Sequence, residues 1–351
     1  MNLKEKISSK IFKTVGSVAD TMGRPCYVVG GYVRDLVIGR HSKDIDFVTV
    51  GPGIELAEAV GRELGKGTHV AVYRNYGTAQ IHRGDLELEF VGARRESYRR
   101  ESRNPIVEDG TLEDDIARRD FTINAMAISV NAADFGELID FYDGLGDIGR
   151  RIIRTPLDPD ITFSDDPLRM LRAIRFATQL DFEIFPETFE AIRRNAGRIE
   201  IITAERIKDE LSKIMRAPRP SIGWDLLLRT GLLKIILPEL AALRGVEIVN
   251  GRGHKDNFYH TLGVLDNVAA VSDNEWLRWA ALFHDIAKPV TKRYDESTGW
   301  TFHNHNLIGS KMIPRIFKRL RMPLGAEMRY VRKLVDLHMR PIALVADEVT
   351  D

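Results

Sequence analysis

Two aspartates separated by a single residue limit what this chain can fold into more than any other feature of the sequence. Asp44 and Asp46 lie within the apolar segment DIDFVTV, which is typical of a strand. Because side chains alternate along a strand, both carboxylates face one side, while Ile45 and Phe47 face the other. Two carboxylates on one face repel each other unless a cation lies between them. The pair therefore predicts a two-metal phosphoryl-transfer site, with ions about 3.5–4 Å apart.

A third carboxylate usually completes such a site from a neighbouring strand, and the segment DLELEF offers several candidates. Asp85, Glu87 and Glu89 share one face of this predicted strand, so either glutamate could serve by alternation alone. A half-exposed strand with acidic residues facing solvent explains the same pattern equally well. The residues by themselves leave these alternatives open.

A double glycine followed by an arginine lies just before the two aspartates. Gly30 and Gly31 stand between a predicted strand, CYVV, and a predicted short helix. Glycines at the start of a helix let backbone N–H groups approach a phosphate closely. The planar guanidinium of Arg34 can bind a triphosphate through paired hydrogen bonds. A double glycine alone is most often a turn, but its combination with Arg34 and the aspartates predicts a nucleotide-binding site.

The length and composition are those of a globular protein with two or three domains. The 51 basic and 51 acidic residues cancel, so any affinity for RNA has to come from local basic patches. Cys26 is the single cysteine, which excludes an intrachain disulfide and fits a reducing cytoplasm. No apolar run is long enough to span a membrane. We therefore expect a cytoplasmic protein that does not enter the membrane.

Hydrophobic periodicity predicts an α/β first part and a helical remainder. Helices are expected over residues 5–22 and in GIELAEAVGRELG, with strands in THVAVYR, GTAQIHR and LELEFVGAR. From about residue 111 the pattern is helical, apart from a loop-rich passage at 132–166. A histidine-rich helical region begins near residue 250. The helices expected before it are 166–179, 186–197, 203–216 and 221–230.

The segment GGYVRDLVIGRHSKDIDF resembles the signature of the class II CCA-adding enzymes and bacterial poly(A) polymerases. Four further motifs of that family recur in order: ARRDFTINAMAI (117–128), IDFYDGLGDI (139–148), SDDPLRMLRAIRFA (164–177) and TAERIKDELSKIM (203–215). The resemblance implies an α+β fold, with a polymerase-β-like nucleotidyltransferase head built on a mixed β-sheet. An all-α neck and an all-α HD-type domain follow. The implied boundaries are 1–155, 156–245 and 246–351.

The resemblance also implies roles for individual residues. It selects Glu89, five residues before an arginine, as the third catalytic carboxylate beside Asp44 and Asp46, which would hold Mg²⁺. Asp166 and Arg169 match the residues that select CTP and then ATP, because a carboxylate accepts from the exocyclic amine and a guanidinium donates to the ring. The implied nucleotide-binding residues are Gly30, Gly31, Arg34, Arg119, Asp120, Asn124, Asp166, Arg169 and Arg172.

The expected RNA contacts are two basic clusters. The segment 98–111 matches a flexible loop that the family uses when it switches to ATP, and it contains Arg99 and Arg100. Arg193 and Arg194 lie on a predicted neck helix. These side chains are candidates for contacts with RNA phosphates, although a solvated charged face explains both clusters as simply. The implied partners are the tRNA 3′ end, CTP and ATP.

His260 and the pair His284-Asp285 resemble the HD phosphohydrolase superfamily. Imidazole and carboxylate at this spacing can hold a further divalent metal, and we expect these three residues to be its ligands. His254 is expected to serve packing. The distal aspartate of HD domains is expected beyond Asp336, so we expect this domain to be incomplete at its C-terminal end. Further histidines of the region are His303, His305 and His338.

These patterns together predict template-independent addition of C, C and then A to the 3′ end of tRNA. A poly(A) polymerase differs in product and not in mechanism, and the wording RRDFTINAMA favours CCA addition over it. CC-adding and A-adding specialisation stay open. A hydrolase of the HD type is the alternative from another class, and it requires the head carboxylates to be dispensable.

Overall fold

The computed structural model describes residues 1–97 and 106–341. These residues form two compact units, each of which is described by itself. The first unit comprises residues 1–166 and 183–188, and the second comprises residues 167–182 and the chain from residue 189 onward. The first unit is built on a mixed sheet and the second is largely helical, which confirms the predicted fold class.

Helices and strands alternate in the first part of the chain, and helices dominate the rest. The helices are α1 (Lys10–Thr21), α2 (Gly31–Ile38), α3 (Gly53–Leu64), α4 (Leu112–Ala117), α5 (Gly144–Arg150), α6 (Pro159–Asp165), α7 (Leu168–Leu180), α8 (Pro186–Asn195), α9 (Ala204–Met215), α10 (Ser221–Arg229), α11 (Leu232–Ile236), α12 (Pro238–Ala241), α13 (Asn257–Val271), α14 (Glu275–Phe283), α15 (Lys288–Thr291), α16 (His305–Arg319) and α17 (Ala326–Leu337). The strands are β1 (Cys26–Val29), β2 (Asp44–Thr49), β3 (Val70–Tyr73), β4 (Thr78–Arg83), β5 (Leu86–Gly92), β6 (Arg94–Ser97), β7 (Ile106–Asp109), β8 (Ala127–Ser129), β9 (Leu138–Ile139), β10 (Ile152–Ile153), β11 (Glu183–Ile184), β12 (Ile248–Val249), β13 (Arg252–Gly253), β14 (Arg293–Asp295) and β15 (Gly299–Thr301).

The main sheet of the first unit has the strand order β3-β4-β5-β2-β1-β8-β9. Its strands pair antiparallel except for β2 and β5, which run parallel. One face of the sheet packs against α1 and α3 around a stacked pair, Phe47 and Phe90, whose ring centroids lie 5.1 Å apart. The polar side chains of β2 are left on the opposite face, as the alternation of its residues predicted.

Several elements differ from the sequence-based prediction. Helix α1 begins at Lys10, whereas the prediction began at residue 5, because residues 4–7 form a turn that still buries Ile7. Strand β8 was not predicted. All three of its residues are buried, so it lacks the alternation that marks a half-exposed strand. The passage at 132–166 contains β9, β10, α5 and α6, where mainly loop was expected.

The helices of the second unit pack around an edge-to-face pair of tryptophans, Trp224 and Trp279, whose ring centroids lie 5.6 Å apart. Two short antiparallel hairpins, β12–β13 and β14–β15, interrupt the helices. These hairpins were not predicted, because their strands are only two or three residues long. Within the residues that the structure describes, no helix has the length and apolarity needed to cross a membrane.

Candidate active site

The parallel pairing of β2 and β5 decides which glutamate lies beside which aspartate. Asp46 is the register partner of Glu89, and Asp44 is the partner of Glu87. Glu89 is half-buried, whereas Glu87 is exposed and lies 3.7 Å from the imidazole of His82. The sheet therefore brings Glu89, and not Glu87, against the more buried of the two aspartates. Asp44 lies at the exposed start of β2.

The carboxylates of Asp46 and Glu89 suit a cation. Burial raises the pKa of Asp46, and the charge of Asp44 raises it further against the opposing effect of Arg119. Burial and the charge of Asp46 raise the pKa of Glu89. Oxygen ligands of this kind are those that Mg²⁺ prefers. Among the described residues, Asp44, Asp46 and Glu89 do not form a group of three whose ligand atoms all lie within 4.8 Å of one another, so the fit rests on their shared face and charge.

The glycine turn before α2 lies beside the carboxylate of Asp46. Gly30 has a φ of +76°, and a Cβ there would stand 2.8 Å from Nη1 of Arg119 and 3.5 Å from Oδ2 of Asp46. Any side chain at this position would therefore push the arginine away from the aspartate. Helix α2 begins at Gly31, so its first backbone N–H groups lie next to the carboxylate face.

Three residues that were predicted separately form one buried hydrogen-bonded chain. Nη1 of Arg34 donates to Oδ1 of Asn124 at 2.7 Å, and Nδ2 of Asn124 donates to Oδ1 of Asp120 at 3.0 Å. Nε of Arg34 also donates to Asp35 at 2.9 Å. The chain fixes the guanidinium of Arg34 beside the glycine turn, which favours its predicted contact with a phosphate.

Asp115 is a site residue that the sequence-based prediction missed. Its side chain is fully buried on α4 and accepts from Arg118 at 2.6 Å and from Arg119 at 3.1 Å. Burial tends to raise the pKa of Asp115, but the two guanidiniums outweigh it and lower the pKa. The spacing of three and four residues was the available signal, although such pairs are common on helix surfaces. Asp115 holds Arg119 next to Asp46.

Replacing Asp115 with asparagine should destabilise the fold by about 3 kcal/mol, because two half-buried guanidiniums lose their buried counter-charge. Catalytic efficiency should fall roughly 10- to 100-fold, as is usual when the support of a site residue is removed. Because the folded-state pKa is lowered, the stabilisation by Asp115 is present above its ordinary value of 3.8 and is lost as the pH falls below it. Urea unfolding at pH 7 and pH 3 measures this loss.

Glu113→Gln is the matched control for Asp115, because Glu113 is exposed on the same helix. This variant should match the wild type in unfolding and in rate. Equal unfolding curves for Asp115→Asn and the control would contradict the anchoring role.

The predicted nucleotide-selecting residues lie at the join of α6 and α7. Asp166 directly follows the last residue of α6, and its N–H donates to the carbonyl of Thr162 at 3.4 Å. Arg169 and Arg172 follow on α7, three residues apart, so they share one face of that helix. The guanidinium of Arg172 lies 5.4 Å from the ring of Phe176. The boundary between the two compact units falls directly after Asp166.

The motif IDFYDGLGDI (139–148) has a local structural role. Oδ1 of Asp140 accepts from the N–H of Gly144 at 2.8 Å, and Oδ2 accepts from the N–H of Leu145 at 2.9 Å. The carboxylate thereby caps the first turn of α5, whose N–H groups have no partner within the helix.

The predicted RNA contacts are only partly within the described residues. Arg193 and Arg194 are exposed on α8, and Arg193 forms an ion pair with Glu190 at 3.2 Å. Arg99 and Arg100, with most of the predicted loop 98–111, lie outside the described residues. The role of both clusters in RNA binding stays a prediction.

Five histidines of the second unit line a pocket of about 610 Å³, here called the histidine pocket, which also contains Asp285 and Lys288. The predicted ligands His260, His284 and Asp285 meet there, with ligand atoms within 4.8 Å of one another. His254 instead accepts from the N–H of Glu247 and packs against aromatic rings, as predicted. Among the described residues, no metal-binding group contains Asp336.

Three family models match consecutive parts of the chain. They are the poly A polymerase head domain over residues 26–154, the "Probable RNA and SrmB-binding site of polymerase A" over 181–243, and the HD domain over 257–348.

Curated relatives and a solved structure show the same similarity. An A-adding tRNA nucleotidyltransferase of Deinococcus radiodurans is 33% identical over 329 residues, which are 92% of this chain and 70% of the relative. One of Aquifex aeolicus is 43% identical over 195 residues, which are 55% of this chain but 23% of the relative. This chain therefore aligns with less than a quarter of the Aquifex protein. The structure of a CCA-adding enzyme with ATP is 25% identical, with a TM-score of 0.68, and the match covers 99% of this chain and 76% of that one.

Proposed function

Since the chain belongs to the tRNA nucleotidyltransferase family, we propose that it transfers a nucleotidyl group from ATP to the 3′ hydroxyl of a tRNA. The observation that carries this proposal is the pairing of Asp46 with Glu89 on neighbouring strands beneath the glycine turn. Nucleotidyl transfer needs carboxylates that bind metal ions, an arginine held in place and backbone N–H groups at the start of a helix. Their proximity in the first unit supports the catalytic roles that the resemblance implied.

Each residue of the site has a proposed task. Asp44, Asp46 and Glu89 would hold Mg²⁺, which supplies charge stabilisation at the α-phosphate and activates the attacking hydroxyl. Arg34 and the N–H groups after Gly30 bind the triphosphate. Arg119, held by Asp115, neutralises charge next to Asp46. Asp120 and Asn124 position Arg34, in addition to the nucleotide contact that the resemblance implies for them.

Addition of the terminal adenosine is the product that the relatives favour. Both curated relatives named above are A-adding enzymes. Complete CCA addition is the second candidate, because the sequence motifs predicted it and the similar solved structure is a CCA-adding enzyme. In either case Asp166 and Arg169 are proposed to select the base through its exocyclic amine and ring nitrogen.

A product assay distinguishes these candidates. tRNA transcripts ending before C74, before C75 and before A76 are incubated with Mg²⁺ and with CTP, ATP or both, and products are resolved at single-nucleotide length. Extension of only the third transcript, by one A, supports A addition, whereas extension of all three to CCA supports complete addition. Long A tails would contradict both and indicate a poly(A) polymerase. Asp44→Ala/Asp46→Ala is the inactive control.

Selection of the nucleotide should weaken when Asp166 is replaced by asparagine. GTP has a carbonyl where ATP has the exocyclic amine, and a carboxylate, which can only accept, penalises binding of that carbonyl. The asparagine amide can donate to the carbonyl as well as accept from the amine, so the variant loses this penalty. That penalty is roughly 1–3 kcal/mol, which corresponds to about a 5- to 150-fold loss of preference for ATP over GTP. Competition between the two nucleotides on one transcript measures this ratio. Asp165→Glu, which keeps a carboxylate at the neighbouring position, should leave the ratio unchanged, and an unchanged ratio in Asp166→Asn would contradict the assignment.

A further inference from the structure

The main sheet of the first unit continues past Glu89 into the hairpin β3–β4, to which no task has been assigned. Strands β4 and β3 follow β5 in the strand order, and Gln80 is the register partner of Glu89. Because side chains alternate along a strand, Gln80 lies on the face that carries Asp46 and Glu89. Ala79 and Ile81 belong to the core on the opposite face. The polar row that begins at Asp46 therefore extends onto β4.

Exposed aromatic rings lie at the outer end of this hairpin. Val70 and Val72 of β3 pack against the core, so Tyr73 on the same strand faces the other side of the sheet. The short turn Arg74–Tyr76 follows. Tyr73 is 44% exposed and Tyr76 is 74% exposed. Two exposed rings with an arginine between them form the kind of surface on which unpaired nucleotides stack.

The geometry of nucleotidyl transfer assigns one side of the site to the acceptor. The glycine turn and α2, which are proposed to bind the triphosphate, follow β1, and β1 pairs with β2. In an in-line displacement the attacking oxygen enters opposite the leaving pyrophosphate. Because the pyrophosphate leaves on the side of β1 and α2, the 3′ hydroxyl has to approach Asp46 from the side of β5. The strand order then places β4 and β3 under the RNA that precedes this hydroxyl.

We propose that the hairpin β3–β4 is the platform for the unpaired 3′ end of the acceptor RNA, an inference that rests on the proposed function. Tyr73 and Tyr76 stack on its bases, and Arg74 contacts a phosphate. Gln80 binds a hydroxyl of the terminal ribose beside Glu89. Three strand spacings separate β2 from β3, about 14 Å, which a few nucleotides stacked about 3.4 Å apart can cover.

The groups on the hairpin suit the end of an RNA without reading its sequence. The amide of Gln80 offers both a donor and an acceptor, as a ribose hydroxyl requires. Among the described residues, this amide makes no hydrogen bond with the protein. Stacking on tyrosine accepts any base, because every base has an aromatic face. The platform therefore holds the acceptor, and the choice of the incoming base stays with Asp166 and Arg169.

The test measures binding of two 5′-labelled RNAs by fluorescence anisotropy, in the absence of any nucleoside triphosphate. One is a tRNA transcript ending at C75, and the other is the same transcript without its unpaired 3′ nucleotides. The wild type should bind the first more tightly. Tyr73→Ala and Tyr76→Ala should each weaken binding of the first RNA roughly 5- to 150-fold, the range for loss of one stacked base, and leave the second unchanged. Tyr73→Phe and Tyr76→Phe keep the ring and should bind both RNAs like the wild type.

The role of Gln80 is measured with a terminal nucleotide that lacks one hydroxyl. Gln80→Ala should lose about 2- to 12-fold of the preference for a terminal ribose over a 2′-deoxyribose, the worth of one hydrogen bond. In addition assays, Tyr76→Ala should raise the KM for the RNA and leave kcat and the KM for ATP within about twofold. A purely structural role for Tyr76 would instead lower kcat, because it reduces the active fraction.

Two exposed residues outside the platform serve as controls. Tyr330→Ala on α17 and Arg83→Ala at the other end of β4 should keep the difference between the two RNAs. Far-UV circular dichroism verifies folding of each variant. Equal affinity of the wild type for both RNAs, or an equal loss for both RNAs in the alanine variants of Tyr73 and Tyr76, would overturn the inference. If these binding results hold but no nucleotide is added, the proposed function fails and the RNA platform stands.

Discussion

Asp46→Asn is expected to lower the rate of nucleotide addition by a factor on the order of 10³ or more and to raise the melting temperature. The rate falls because the carboxylate is proposed to hold the ion that supplies several kcal/mol of transition-state stabilisation, and each 1.4 kcal/mol is tenfold. The protein becomes more stable because burial and the charge of Asp44 raise the pKa of Asp46, so its ionised form is unfavourable in the fold. Single-turnover assays and thermal unfolding measure the two effects.

The gain in stability should depend on pH in a defined direction. A carboxyl group with a raised folded-state pKa binds its proton more tightly in the folded chain than in the unfolded chain. The wild type therefore loses stability as the pH rises from the ordinary aspartate value of 3.8 through the raised pKa. Asp46→Asn lacks this loss, so the two unfolding curves should diverge with rising pH.

Substitutions of the acidic residues on β5, and of Asp85 just before it, distinguish the loss of a catalytic carboxylate from a general effect of removing negative charge. Glu89→Gln should reduce the rate by a similar factor, whereas Glu87→Gln, two register pairs away, should leave it within about twofold, as surface substitutions usually do. Asp85→Asn removes an exposed ion pair with Lys43 and should also leave the rate within about twofold. Equal losses in Glu87→Gln and Glu89→Gln would contradict the assignment of the third carboxylate.

Arg278→Met is expected to cost about 3–5 kcal/mol of stability, which is a large part of the total for a domain. The guanidinium is only 3% exposed, and it is the shared donor for several oxygens at the ends of α9, α13 and α14. These acceptors are the backbone carbonyls of Met215, Ala217, Ala269 and Ser272 and the carboxylate of Asp273. Methionine fills a similar volume but leaves these oxygens without a donor.

The control for Arg278 is another arginine of the second unit that is exposed. Arg216 lies 3.5 Å from Glu275 on the surface, so Arg216→Met should change the stability by less than about 1 kcal/mol. Denaturant unfolding followed by circular dichroism compares the two. A difference of less than 1 kcal/mol between them would show that the buried guanidinium does not hold the helix ends together.

The face of β2 that carries the two aspartates was predicted from the local sequence alone. The alternation of residues 44–49 was enough to place Asp44 and Asp46 on one side of β2. The choice between Glu87 and Glu89 was different, because it depends on the register of two strands about forty residues apart. Alternation cannot supply that register, and the choice came from the resemblance. The parallel pairing agrees with it.

Features that depend on tertiary contacts could not be read from the sequence. The burial of Asp115 becomes visible only when α4 is packed, since its spacing from Arg118 and Arg119 is ordinary for an exposed helix. His305 and His338 are 33 residues apart in the chain, and only the packing of α16 and α17 brings their Nε2 atoms together. Strand β8 is buried on both faces and therefore carries no alternation.

Transfer of a nucleotide to an RNA 3′ hydroxyl is tested most directly with a single defined acceptor. A tRNA ending at C75 is incubated with α-labelled ATP and Mg²⁺, beside the same tRNA with a 3′-deoxy terminus. The account predicts that the first RNA becomes one labelled nucleotide longer, with release of one pyrophosphate, and that the second is unchanged. Failure to label the first RNA, under conditions in which the chain is folded and binds ATP, would contradict the proposed function.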